Sequence, residues 1–108
     1  MKTEIAISRE IAETIFSQIG GGRFLIMTGA KVLAIIPNGI AFSLPNDSWY
    51  VKDGINRFEI SLLPSDTYEM RGYKCRQKEC ELKTNVSGVY CDQLEEIFTV
   101  MTGLNTRL

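Results

Sequence analysis

Residues 20–36 read GGGRFLIMTGAKVLAII, and how they fold decides how the rest of the chain packs. Three glycines open the stretch and suit the end of a helix. Phe24-Leu25-Ile26-Met27 and Val32-Leu33-Ala34-Ile35-Ile36 are apolar runs of strand length, separated by Thr28-Gly29-Ala30-Lys31. Gly29 accepts the positive φ of a tight turn without steric cost. The stretch therefore predicts a helix stop followed by a β-hairpin through the middle of the core.

Upstream, Ser8 to Ile19 predicts an amphipathic helix. Ile11, Ala12, Ile15, Phe16 and Ile19 recur at three- and four-residue spacing and form one apolar stripe. Ser8 suits the N-cap, and Gly20 the left-handed residue that ends the helix. Downstream, Pro37-Asn38-Gly39 carries the strongest short hairpin signal, Asn-Gly between apolar runs, so Ile40–Leu44 predicts the next antiparallel strand.

Residues 45–54, PNDSWYVKDG, predict a loop rich in turn formers. It holds Trp49 and Tyr50. Buried, this pair caps the edge of the core; exposed, it anchors a partner, because aromatic residues dominate binding hot spots. Residues 55–63 alternate, with Phe58, Ile60 and Leu62 on one face and Arg57, Glu59 and Ser61 on the other, which predicts a strand with one wet face. Thr67–Tyr73 predicts another, with Tyr68 and Met70 inward. Gln77–Thr84 predicts a charged edge strand with Cys80 and Leu82 inward. A second helix is expected over 88–102, opened by Ser87-Gly88 and closed by Gly103, with Leu94, Ile97, Phe98 and Met101 on its apolar face. No internal repeat or low-complexity segment stands out.

These elements imply an α+β fold in one domain, residues 1–108. An antiparallel sheet of five to six strands has the N- and C-terminal helices packed on one face, because a one-sided sheet must cover its apolar side. The 108 residues are 44% hydrophobic and 23% charged, which suits a single soluble core. The net charge of −1 gives the whole molecule no pull towards nucleic acid or membrane. No apolar run reaches the ~20 residues of a bilayer span, and MKTEIAISRE lacks the apolar core of a signal peptide. Cys75, Cys80 and Cys91 fit no common zinc spacing, so reduced thiols in a cytosolic setting are expected.

The chain contains no histidine, which removes the commonest general base and most zinc sites. Gly29-Ala30-Lys31 lacks the second glycine and the Lys-Ser/Thr pair of a phosphate loop. Asp92, Glu95 and Glu96 read as a solvated helix face. No catalytic residue, metal site or cofactor is predicted, and the chain is not expected to be an enzyme. One segment points to binding: Arg71-Gly72-Tyr73-Lys74-Cys75-Arg76-Gln77-Lys78 holds four cations, a tyrosine and no acid. Arg71, Tyr73, Lys74, Arg76 and Lys78 suit phosphate contact with base stacking. The competing reading is a solvated hairpin neutralised across strands by Glu69, Glu79 and Glu81, and the overall charge favours it.

Arg23-Phe24, Met27-Thr28-Gly29-Ala30-Lys31, the strand ending near Leu62, and Asp66 with Tyr68 are joined by a C-terminal set. That set is Gly88-Val89-Tyr90-x-Asp92-x-Leu94, then Phe98-Thr99, then Thr102-Gly103-Leu104. Together they resemble a family of small uncharacterised proteins encoded by bacteriophages, prophages and related mobile elements. The resemblance covers most of residues 15–108. It implies a phage or mobile-element origin and action in the cytoplasm of a bacterial cell, and it supplies no site residues. The expected function is a non-catalytic interaction protein with a host protein as partner, in the manner of small anti-defence factors. The alternative is a nucleic-acid-binding module using residues 71–78.

Overall fold

The computed structural model describes residues 4–45, 51–104 and 106. The elements follow in the order α1 (Glu4–Ile19), α2 (Gly21–Thr28), β1 (Lys31–Ile36), β2 (Gly39–Ser43), a 3-10 turn at Lys52–Gly54, β3 (Arg57–Leu62), β4 (Tyr68–Arg76), β5 (Glu79–Val89), a second 3-10 turn at Cys91–Gln93, and α3 (Leu94–Thr102). The five strands form one antiparallel sheet in the order β1-β2-β3-β4-β5. Each strand pairs with its chain neighbour, so a single meander builds the layer. The expected α+β class and one-sided sheet are present, with five strands.

The main correction lies in the opening stretch. Phe24–Met27 is not a strand: Gly21–Thr28 forms α2, and Gly20, at φ 123°, is the joint between α1 and α2. Burial follows helical spacing, with Phe24 and Thr28 enclosed and Ile26 83% exposed. A short apolar run does not distinguish strand from helix by itself, and here the packing of Phe24 decides. Gly29 ends α2 in the left-handed conformation (φ 74°), and its N–H donates to the Leu25 carbonyl at 2.9 Å.

The end of α2 is repeated at the end of α3. Phe24-Leu25-Ile26-Met27-Thr28-Gly29 and Phe98-Thr99-Val100-Met101-Thr102-Gly103 share the pattern Phe-x-Ile/Val-Met-Thr-Gly, an internal repeat that the sequence reading missed. In each copy the threonine hydroxyl donates to the phenylalanine carbonyl, at 2.7 Å for Thr28 and 2.8 Å for Thr102. The same hydroxyl accepts the backbone N–H two residues on, from Ala30 at 3.1 Å and Leu104 at 3.2 Å. The glycine then turns left-handed, Gly103 at φ 80°. Both buried hydroxyls are thereby satisfied, as burial of a polar group requires.

All five phenylalanines of the chain join the three helices to the sheet. Phe16 of α1 stacks on Phe42 of β2, with centroids 6.4 Å apart. Phe42 meets Phe24 of α2 edge-on at 5.1 Å, Phe24 meets Phe98 of α3 at 4.9 Å, and Phe98 meets Phe58 of β3 at 4.9 Å. Ile15, Ile19, Ile55, Ile60, Met70 and Leu94 complete the enclosed core. Tyr68 lies at its rim, its hydroxyl donating to the Gln18 side chain at 2.8 Å. Burial pushes its phenol pKa upward, and nearby Cys91 adds to the shift.

Three smaller expectations also change. The first helix begins at Glu4, so Ser8 lies inside it and is not its N-cap. The β1–β2 turn has Pro37-Asn38 at its corner, with Asn38 at φ 58°, while Gly39 is the first residue of β2. Residues 87–89 do not open a helix; β5 runs on to Val89 and α3 begins at Leu94.

Candidate functional site

Along β4, side chains alternate between the two faces of the sheet. Tyr68, Met70 and Gly72 face the helices and are buried. Arg71 and Tyr73 therefore lie on the opposite, helix-free face, whereas Lys74 and Arg76 continue the helix-side row beyond the end of the core. Four of the five residues predicted as one basic strip are thus divided between two faces, and the fifth, Lys78, lies in the turn between β4 and β5.

Arg71 is held in an ion-pair network. Its guanidinium donates to Glu69 at 2.9 Å, to Glu59 at 3.0 Å and to the Ser61 hydroxyl at 2.9 Å. Glu59 also accepts from Arg57 at 2.7 Å, and Glu69 from Asn85 at 3.1 Å. The register explains the grouping, since Glu59 pairs with Arg71 and Ser61 with Glu69. Two arginines and two glutamates balance, and the side chain of Arg71 is only 23% exposed. The network organises the open face of the sheet and leaves Arg71 little freedom to meet a phosphate. Arg71→Met should cost about 2 kcal/mol in urea unfolding, because charge-assisted bonds are lost and the two glutamates lose their shared partner.

At the hairpin tip, Lys74 stands opposite Glu81 and Arg76 opposite Glu79. Arg76 and Lys78 are exposed. The register sets acids across from Lys74 and Arg76, while the ion pair of Glu81 is with Lys83 on its own strand, at 3.2 Å. Tyr73 pairs with Leu82, which is 51% exposed on the helix-free face. Cys80 is also exposed, so the expectation that Cys80 and Leu82 face the core is wrong. The register shift between Gly72↔Thr84 and Tyr73↔Leu82 adds one residue, Lys83, to β5 and turns Leu82 and Cys80 away from the helix side that Thr84 faces. Trp49 and Tyr50 lie outside the described residues.

The expectation of three reduced thiols is also corrected. Cys75 and Cys80 stand opposite each other on β4 and β5 and form a disulfide, with their Cα atoms 4.0 Å apart. Asn56 grips the Cys75 backbone at both ends, accepting its N–H at 2.7 Å and donating to its carbonyl at 2.8 Å. Cys91 is a free, exposed thiol. Alkylation of the native, air-purified protein should add one label, and alkylation after reduction and unfolding should add three; mass spectrometry reads the difference.

Two open grooves, about 490 Å³ and 640 Å³, flank the hairpin tip. The first is lined by Lys31, Arg57, Asn56 and the cystine, the second by Lys74, Arg76, Glu79 and Glu81. In the second groove each cation already stands across from an acid. Among the described residues no cluster of three or more cysteine or carboxylate groups is placed to hold a metal ion.

The two sheet edges differ sharply. β5 carries Glu79, Glu81 and Lys83 and contains both extra residues, features that discourage strand addition. β1, KVLAII, carries one charge, at its first residue, and Lys31–Ile35 are all exposed. Val32 is 49% exposed, Leu33 50% and Ile35 49%. Its own pairing to β2 is shifted by one residue at Leu33, and among the described residues no strand pairs with its outer side. This run is not in the middle of the core, as its apolar character predicts; it is a terminal strand of the described meander, and that position leaves it open. The edge position could have been found in the sequence once Phe24–Met27 was assigned to a helix, because no strand then precedes β1.

No family model, curated protein or solved structure matches the chain. No described helix is long and apolar enough to cross a membrane.

Proposed function

We propose that the protein is a non-catalytic interaction protein of phage or mobile-element origin. On this reading it acts in the bacterial cytoplasm, where it docks on a host protein and inhibits it as an anti-defence factor. The single observation that supports a docking role is the β1 edge. Its unpaired backbone donors and acceptors can add a partner strand to the sheet, and its half-exposed Val32, Leu33 and Ile35 supply apolar contact. The origin and the compartment rest on the resemblance of the Arg23–Lys31 and Gly88–Leu104 motifs alone, because the Cys75–Cys80 disulfide withdraws the reduced thiols that also argued for a cytosolic setting.

Affinity capture from bacterial lysate, with and without nuclease, tests the reading when run beside Leu33→Lys/Ile35→Lys. A host protein that survives nuclease and is lost with the double variant is the expected result. Equal capture by both forms removes β1 from the account.

The nucleic-acid alternative draws on Arg76 and Lys78, the exposed cations of the predicted strip. It requires binding that weakens steeply with added salt and fails in Arg76→Ala/Lys78→Ala. The ion pairing of Arg71 and the acids opposite Lys74 and Arg76 favour the protein-binding reading.

A further inference from the structure

We infer that, when no other strand occupies it, the β1 edge pairs with β1 of a second copy of this chain. The pairing is antiparallel around a twofold axis perpendicular to the sheet, and it joins two five-stranded sheets into one of ten strands. This deepens the reading of β1 as a docking edge and rests on it.

Four observations favour a second copy as occupant. First, β1 is self-compatible: its only charge, Lys31, lies at one end. An antiparallel pair centred on Ala34 or Ile35 therefore sends the two lysines to opposite ends and sets apolar residues against apolar residues. Second, the sheet is antiparallel throughout, so the new pair continues its pattern and keeps both sets of helices on the same side.

Third, the opposite edge opposes open-ended growth. A β1-to-β5 contact would press the apolar strand onto Glu79, Glu81 and Lys83 and onto two extra residues. Only the like-with-like contact is left, and such a contact closes at two subunits. Fourth, the net charge of −1 gives two copies almost no mutual repulsion. Val32 and Ile35 pair in register with Phe42 and Ile40, which are buried beneath the helices. Dimerisation thus extends the existing core across the axis.

A single six-residue strand gives a small interface, so the dimer is a weak one, in the micromolar-to-millimolar range. Sedimentation equilibrium on the full chain carrying Cys91→Ser tests it, the substitution removing any bridge through the free thiol. The weight-average mass should rise from 12.2 kDa towards twice that value as concentration increases. Leu33→Lys/Ile35→Lys should remain monomeric with unchanged circular dichroism, and Leu82→Lys, on the other edge, should dimerise like the parent. In the same background, Ala34→Cys or Ile35→Cys should yield a covalent dimer on mild copper oxidation, whereas Lys83→Cys should not.

A parent protein that remains monomeric up to about 1 mM overturns the self-pairing. So does a dimer that crosslinks through position 83 or survives the β1 double variant. If the parent is monomeric but the double variant still loses its host partner, self-pairing fails while the docking reading holds. If the double variant loses neither dimer nor partner, both fail.

Discussion

Gly39→Ala is expected to lower the unfolding free energy by more than about 3 kcal/mol, enough to leave a domain of ordinary stability largely unfolded under mild denaturant. Gly39 has an extended backbone that any residue can adopt, so the cost is entirely steric. A Cβ at this position would overlap the Ile60 carbonyl oxygen and lie 2.9 Å from the Ser61 Cα and 3.0 Å from the Ile60 carbonyl carbon. All three are backbone atoms of β3, and no rotamer change relieves the clash. Relief requires β2 to move away from β3, and β1 moves with it, because β1 is held in the sheet through β2 alone. Gly22→Ala is the matched control. Its Cβ meets nothing within 4 Å, and it sits inside α2, so alanine should stabilise by about 0.5–1 kcal/mol. Urea titrations of the two variants should therefore shift in opposite directions.

The second large effect is expected at Phe24. Phe24→Ala should cost about 3–5 kcal/mol, the range for emptying a buried aromatic site. Phe24 is the middle ring of the chain Phe16–Phe42–Phe24–Phe98–Phe58. Its loss disconnects α1 and β2 on one side from α3 and β3 on the other. The eight residues of α2 are too few to form a stable helix alone, so burial of Phe24 is what holds this element. Ile26→Lys, two residues away, should change stability by less than about 0.5 kcal/mol, because Ile26 is 83% exposed. A strand over 24–27 would place Phe24 and Ile26 on the same face and make both substitutions costly. Chemical denaturation of the pair thus tests the helical assignment directly.

Much of this architecture can be read from the residues. The stripe Ile11-Ala12-Ile15-Phe16-Ile19, the turn around Asn38 and the alternation over 57–62 and 68–73 each carry a period that only one element satisfies. What escaped was decided by tertiary packing. Phe24–Met27 has no period long enough to separate strand from helix; its likeness to Phe98–Thr102, which is legibly helical, is the signal that resolves it. Cys80 and Leu82 face away from the core because the one residue inserted in β5 between Leu82 and Thr84 is invisible to an alternation count. The pairing of Cys75 with Cys80 depends on a register that the turn at Gln77-Lys78 sets. Arg71 looked like part of a basic strip because its partners Glu59, Ser61 and Glu69 come from two strands, and sequence spacing does not display that neighbourhood.

The exposed edge of β1 carries the functional account, and amide hydrogen exchange reports on it most directly. In dilute protein, the β1 amides that point away from β2 should exchange fast while those of the central strand β3 stay protected. Raising the concentration, or adding a captured partner, should slow exchange at Val32–Ile35 and leave β5 unchanged. Protection of those β1 amides already present in the dilute monomer, or new protection that appears on β5 and not on β1, would contradict it.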